Sequence, residues 1–400
     1  MGLKDLSADV RQYLLITANY WGFTLTDGAL RMLVVLYFHQ LGYSPLNIAM
    51  LFLFYEIFGV VTNLVGGWLG ARLGLNRTMN IGLGLQVLAL GMLTVPNELL
   101  TVVYVMAAQA LSGIAKDLNK MSAKSAIKFL VADNEQSQLY KWIALLTGSK
   151  NALKGVGFFL GGLLLSLFEF QGAIWIMLVM LALMWLLSVC KLTQDLGKAK
   201  NKPKFSELFS KSRAINYLSA ARMCLFGARD VWFVVALPVF LTSQFNWSSA
   251  WVGGFMASWV IGYGLVQTLA PKITAKAQGH LPTGRTALVW ASYLSVIPAL
   301  IALALGADFH VEYALIIGLL IFGAVFAVNS SLHSYLIVSF ADKQGVSLDV
   351  GFYYMANAMG RLIGTVLSGW VYQAYGLAAC LWISSIFIVL AAWLSRNIEV

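Results

Sequence analysis

Lysines at 116, 120, 124 and 128 recur every four residues through LSGIAKDLNKMSAKSAIKFL, residues 111–130. On an α-helix a four-residue step turns the side chain by about 40° and climbs about 6 Å, so the four ammonium groups form one slowly winding ladder roughly 18 Å tall. The segment before it, TVVYVMAAQALSGIA, is apolar enough for a bilayer, which puts the upper rungs at membrane depth. A charge at the centre of a membrane helix costs about 2.5–3.5 kcal/mol on insertion scales. Nothing structural offsets that for a row of like charges, whereas a bound anion does. Lys124 and Lys128 are read as snorkelling to the cytoplasmic headgroups. Lys116 and Lys120 lie deeper and are assigned to anion binding.

Six more basic side chains share this depth: Arg31, Lys150 and Lys154 on one helix face, Arg222 and Arg229 seven residues apart, and Arg361. With Lys116, Lys120 and Lys124 they number nine, against the four acids Asp27, Glu56, Asp117 and Asp230, which leaves five positive charges unmatched. Asp27 precedes Arg31 by four residues, the favourable order for a helical pair, and Asp117 can reach Lys120 three residues on. The four acids are candidates for proton coupling or charge pairing. Glu56 has no basic residue within four positions on its own helix, so its neutral form costs less there. Arginine forks suit bidentate binding of tetrahedral oxyanions, and lysine acts as a movable point charge. The set therefore expects a small-molecule substrate with several negative charges, such as a phosphoryl or arsenyl ester. Tyr20 and Asn19, and Asn329, Ser330, Ser331, His333, Ser334 and Tyr335 of NSSLHSYL, add neutral hydrogen-bonding groups. About half of these are expected to join helices together.

These residues sit in a chain of 400, 60% hydrophobic and 11% charged, with mean hydropathy +0.77. Soluble domains carry about 25% charged residues, so the chain reads as an all-α integral membrane protein in a lipid bilayer. Cys190, Cys224 and Cys380 stand alone, with neither a disulfide framework nor a thiolate metal site. No HExxH, GxSxG or P-loop is present, which argues against an enzyme. No cofactor and no nucleic-acid partner is expected.

Apolar windows of about 20 residues predict twelve spans, at 13–39, 46–70, 78–96, 101–128, 137–166, 171–192, 214–242, 248–270, 284–306, 311–339, 348–373 and 376–396. TQDLGKAKNKPKFSELFSKSR is the longest hydrophilic interval. It divides the chain into a six-helix bundle at 1–192, a basic linker at 193–213 and a second six-helix bundle at 214–400. The loops at 39–45, 96–100, 168–171, 242–246, 306–312 and 373–376 contain no Lys or Arg, while the alternate ones carry Arg72, Arg77, Lys141, the linker, Lys272, Lys276, Arg285, Lys343 and Arg396. Positive residues stay inside, so both termini and the linker are expected in the cytoplasm. DGALRMLVVLYFHQLGYSPLNIAML near the start and RDVWFVVALPVFLTSQFNWSSAWVGG after the linker echo each other, as parallel halves around a central cavity would.

The stretch GGWLGARLGLNR resembles the gating-loop signature of the major facilitator superfamily, with Gly67, Arg72, Gly74 and Arg77 matching and Ala71 at the acidic position. Ala71 carries no charge, so the loop lacks the acid of the superfamily's usual charge contact. Gly155, Gly157, Gly161 and Gly162 resemble the superfamily's glycine-rich fifth helix and equally suit close helix packing. The whole chain is similar to the ArsJ group of that superfamily, the organoarsenical exporters. The similarity is densest in NYWGFTLTDGALRMLVVL, FHQLGYSPLNIAMLFLFYE, GVVTNLVGGWLGARLGLNRTMN, QALSGIAKDLNKMSAKSAIK and LLTGSKNALKGVGFFLGG, and looser in the second half. The resemblance implies a major facilitator fold in a bacterial inner membrane and export of 1-arseno-3-phosphoglycerate. It also implies a functional link to the glyceraldehyde-3-phosphate dehydrogenase that makes this ester from arsenate. Outside the cell the ester would fall apart, so export amounts to arsenate resistance. Two separated basic clusters suit its two anionic ends, and a carrier of ordinary organophosphates or inorganic phosphate would look much the same. Uniport, proton antiport and anion exchange are all compatible with these residues.

Overall fold

The computed structural model describes residues 8–42, 51–130, 135–192, 196–198, 212–247, 249–278, 281–342 and 345–398. Among the described residues every regular element is helical: α1 (Ala8–Gln40), α2 (Leu53–Leu73), α3 (Leu75–Met92), α4 (Val102–Leu130), α5 (Gln136–Lys191), α6 (Arg213–Phe233), α7 (Ala236–Phe245), α8 (Ser249–Gln278), α9 (Gly284–Gly306), α10 (Val311–Phe340) and α11 (Val346–Ser395), with a 3-10 turn at Asn97–Leu99. The expected linker lies outside the described residues except for 196–198 and 212–213.

These helices make twelve passages. A straight helix of 56 residues would be about 84 Å long, far beyond a hydrocarbon core of about 30 Å. α5 therefore doubles back, at Glu169 (φ 56°, ψ −175°), and the 50-residue α11 does so at Gly376 (φ 78°, ψ −177°). α6 and α7 form one passage interrupted at Val234 and Val235. α8 runs eight residues past the expected end, to Gln278, with Pro271 inside it, so the backbone at Lys272 and Lys276 is helical rather than loop. Proline costs the bond from its own N–H and crowds the carbonyl four residues back, but the helix can continue beyond it.

Side chains facing out are apolar: Val103, Phe159, Trp251 and Trp370 are all strongly exposed. Such a surface fits lipid and not water. By length and composition α2, α5, α9, α10 and α11 are apolar enough to cross a membrane. α1, α4 and α6 are not among them, and these are the helices that carry Asp27, Arg31, the lysine ladder, Arg222, Arg229 and Asp230.

The chain divides into two compact units. The first takes residues 1–135, 149–209 and 341–355, and the second takes 136–148, 210–340 and 356–400. Each is held by a glycine crossing. In the first unit, a methyl on Gly157 of α5 would stand 2.7 Å from the Leu25 carbonyl oxygen and 3.2 Å from Gly28 Cα on α1. In the second, a methyl on Gly364 of α11 would stand 2.7 Å from the Gly227 carbonyl oxygen and 3.2 Å from Gly227 Cα on α6. One turn before Gly364, a methyl on Gly360 would run into the backbone carbonyl of Met223. Gly360→Ala is therefore expected to lower stability by about 1–3 kcal/mol through overpacking. Gly262→Ala, where a methyl meets nothing within 4 Å, serves as the control. Thermal unfolding of the detergent-purified variants checks this, and equal melting temperatures would refute the close crossing.

Candidate functional site

In the first unit the charges gather around Tyr55 of α2, which is buried. Its hydroxyl donates to Asp27 of α1, at 2.8 Å to Oδ1 and 3.1 Å to Oδ2. Arg31, one turn on, does not close on Asp27 as the i,i+4 spacing predicts. Its Nη2 lies 3.6 Å from Glu56 Oε1, and its guanidinium lies 5.0 Å from the Phe52 ring centroid and 5.4 Å from that of Tyr55. The spacing rule ranks partners on one helix only, whereas α2 brings both a hydroxyl and a carboxylate to α1.

The ladder on α4 meets the same tyrosine. Lys116 Nζ stands 3.8 Å from the Tyr55 ring centroid and 3.9 Å from Asp117 Oδ2. Lys120 Nζ donates to Asp117 Oδ1 at 2.6 Å, the pairing expected from the sequence. Asp117 is 1% exposed, behind Lys116 at 15% and Lys120 at 13%. Gly59 of α2 leaves the room for it, since a methyl there would stand 3.1 Å from Oδ2. Lys124 and Lys128 do not snorkel, because both are buried inside the protein. Tyr354, at the start of α11 and within the first unit, supplies what headgroups would have supplied. Its hydroxyl accepts from Lys124 Nζ, and its ring centroid lies 4.5 Å from Lys120 Nζ and 4.9 Å from Lys124 Nζ. Tyr20 is buried within electrostatic reach of Asp27, Asp117 and Tyr354, its hydroxyl without a hydrogen-bond partner among the described residues. Asn19 instead donates to Ser188 Oγ at 2.8 Å and serves packing.

Lys150 and Lys154 are half-buried, one turn apart on α5. The contacts that fix this stretch include α1: Trp21 Nε1 donates to Ser149 Oγ at 2.9 Å, and Gly28 packs on the Lys154 carbonyl. Lys154 Nζ lies 5.7 Å from the Phe158 ring centroid.

The second unit builds its cluster on α6, α10 and α11. Asp230 is 1% exposed, and its Oδ1 accepts from Arg229 Nε at 2.6 Å and lies 2.5 Å from Nη2. Its Oδ2 accepts from Arg361 Nε at 3.3 Å. Arg229 is 16% and Arg361 27% exposed, so the acid again lies behind its two cations. The Arg229 guanidinium is surrounded by the rings of Phe226, Phe233 and Phe326, at 4.8, 5.8 and 5.6 Å. Arg222 is buried 3.9 Å from the Phe226 ring centroid. It donates to Asn357 Oδ1 at 2.9 Å and to the oxygens of Ser330 at 3.1 and 3.2 Å. Asn329 is not drawn into this cluster: its Nδ2 donates to the carbonyls of Trp290 and Val325, which makes it a packing residue. Tyr55, Tyr354 and Asn357 are the partners sequence reasoning missed, while Ser330 is one of the neutral hydrogen-bonding groups it named.

In the gating-loop stretch, Gly74 adopts φ 95° and ψ 152° between α2 and α3, a left-handed region that glycine enters without strain. The Arg72 guanidinium lies 5.0 Å from the Trp68 ring centroid, and both Arg72 and Arg77 are exposed. Gly67 packs on the start of α11, where a methyl on Gly351 would stand 2.8 Å from Gly67 Cα. Ala71 is buried and brings no charge. The stretch thus packs backbone to backbone at Gly67 and leaves Arg72 and Arg77 exposed.

Twelve helical passages with charged side chains gathered on α1, α4, α6 and α11 are those of a polytopic membrane protein. The sequence profile of the Major Facilitator Superfamily matches residues 13–350, and the chain belongs to that family. Solved structures agree on the fold. The fucose:proton symporter FucP of E. coli superposes with a TM-score of 0.73 at 12% identity, covering 98% of this chain and 100% of that one. The human organic anion transporter MFSD10 gives 0.72 at 16%, with the same coverage. A bacterial homologue of the iron transporter ferroportin gives 0.73 at 13%, covering 98% and 99%. No curated protein matches the chain. As a member of the superfamily the protein is a membrane transporter of small molecules and not an enzyme.

Proposed function

We propose that this transporter exports an organic arsenate ester, 1-arseno-3-phosphoglycerate, and so confers arsenate resistance. One observation carries the reading: a surplus of cations at membrane depth, divided between two clusters. The first unit holds six basic residues there (Arg31, Lys116, Lys120, Lys124, Lys150 and Lys154) against Asp27, Glu56 and Asp117. The second holds Arg222, Arg229 and Arg361 against Asp230. A surplus of cations in each unit suits an anion of several charges. Trivalent arsenic would call for grouped thiolates. Cys190, Cys224 and Cys380 are free and lie on α5, α6 and α11, while pentavalent oxyanions need only the cations.

In this reading the protein sits in a bacterial inner membrane with both termini and the 193–213 linker in the cytoplasm, as two six-helix bundles. A glyceraldehyde-3-phosphate dehydrogenase supplies the ester. Glu56, Asp27 and Asp230 are the acids available for proton coupling. The test is uptake into inside-out vesicles of labelled ester against labelled phosphate, each with and without an imposed pH gradient. Preferential uptake of the ester is the expected result. Equal or better uptake of phosphate would instead make the protein an organophosphate or phosphate carrier of the same superfamily, and dependence on the gradient would assign proton coupling.

A further inference from the structure

Asp117 of α4 and Asp230 of α6 have the same kind of surroundings, each within its own unit. Each is 1% exposed and stands behind two more exposed cations, one of them its immediate predecessor in sequence: Lys116 and Lys120 for Asp117, Arg229 and Arg361 for Asp230. A carboxylate that anchors a fold normally also accepts from backbone N–H groups or neutral side chains. Asp27 does so, taking the Tyr55 hydroxyl. Asp117 and Asp230 accept only from their cations among the described residues. Asp117 Oδ2 is buried without any hydrogen-bond partner, 3.9 Å from Lys116 Nζ, and Asp230 Oδ2 has only the 3.3 Å bond from Arg361. Among the described residues, no neutral donor reaches either carboxylate.

We propose that Asp117 and Asp230 are resident counter-ions, each occupying the donors of a cation pair until a tetrahedral oxyanion takes those donors in its place. The proposal rests on the anion-transport reading and adds how the empty site is kept neutral enough to fold. A carboxylate and a phosphate, arsenate or sulfate oxygen compete for the same N–H groups. The cations are more exposed than either acid, at 13–27% against 1%, so the incoming anion meets the cations before the carboxylate. Once its donors are taken, the carboxylate is left beside a second anion and is driven off them by like-charge repulsion. In both units a glycine faces the acid and leaves it room on that side: a methyl on Gly364 would stand 2.9 Å from Asp230 Cβ, and one on Gly59 3.1 Å from Asp117 Oδ2.

A fixed anchor and a displaceable counter-ion predict opposite signs for one substitution. Removing an anchor misplaces the cations and weakens anion binding, whereas removing a competitor strengthens it. Sulfate, which stays a dianion throughout the neutral range, is the probe, titrated calorimetrically into full-length protein in detergent. Asp117→Asn and Asp230→Asn are each expected to tighten sulfate binding by about tenfold or more, the scale of one charge-assisted hydrogen bond. Sulfate is also expected to raise their melting temperatures more than that of the wild type. Binding that is unchanged or weaker in both variants, with the wild type still binding sulfate, overturns the proposal and leaves the anion-transport reading standing. Failure of sulfate, phosphate and arsenate to bind any of the three proteins brings down both. Should the asparagine variants not fold, infrared difference spectra of the wild type with and without sulfate decide. A carboxylate-stretch change is expected, and a flat carboxylate region overturns the proposal.

Discussion

Lys116→Ala is expected to abolish most substrate binding while leaving the empty protein at least as stable as the wild type. Lys116 is the rung of the ladder whose ammonium lies on a tyrosine ring, 3.8 Å from the Tyr55 centroid, with its nearest carboxylate oxygen at 3.9 Å. Asp117 keeps its 2.6 Å bond to Lys120 when Lys116 is gone, so no carboxylate is stranded. The lost ammonium relieves repulsion in a cluster that already carries three more cations than acids. A desolvated ion pair with the substrate is worth about 2–5 kcal/mol, some thirtyfold to several thousandfold in Kd. Export of the ester and the melting temperature, measured on the same membrane preparation, check both halves. Lys141→Ala, at an exposed position, is the control. Normal export by Lys116→Ala would remove the ladder from the substrate path.

Arg229→Ala is expected to have the opposite profile, with a large loss of stability. Asp230 Oδ1 takes both of its short contacts, at 2.5 and 2.6 Å, from this one guanidinium. Without it a carboxylate that is 1% exposed retains only Arg361 at 3.3 Å. Breaking a buried pair from one side typically costs about 3–5 kcal/mol, chiefly because the remaining charge is left uncompensated. The double variant Arg229→Ala/Asp230→Ala is therefore expected to recover more than half of the loss, since the stranded acid is removed as well. Denaturant titration of wild type, the two single variants and the double closes the cycle. Additive losses would mean that Arg229 stabilises the unit through its three phenylalanine contacts and not through Asp230.

The twelve passages were readable in the sequence because a bilayer imposes one length on every apolar segment, and because Arg and Lys gather in alternate loops. The same reading singled out charged residues that the structure gathers around Tyr55 and Asp230. Partners were not. Local spacing found Asp117–Lys120, three residues apart on one helix, and failed for Asp27 and Arg31, whose partners Tyr55 and Glu56 arrive from α2. Lys124 reads as a headgroup-seeking side chain until Tyr354, 230 residues away, meets it within the protein. No period or motif signals a tyrosine at that remove. Asn329 and Ser330 adjoin in sequence, yet only Ser330 meets Arg222, because successive helix positions point about 100° apart.

The glycine crossings fix a register as well as a distance. Lys154 stands three residues before Gly157, and Arg361 three before Gly364; Arg31 stands three after Gly28, and Asp230 three after Gly227. The frame is thus duplicated, with a basic residue at one equivalent position in both copies. At the other the sign is inverted. The second copy carries an acid there, and its pair closes on itself. The first carries Arg31, which draws its counter-charge, Glu56, from a different helix. The two units therefore differ in electrical polarity at matched places: the second keeps cation and acid on one crossing, and the first borrows its acid from α2.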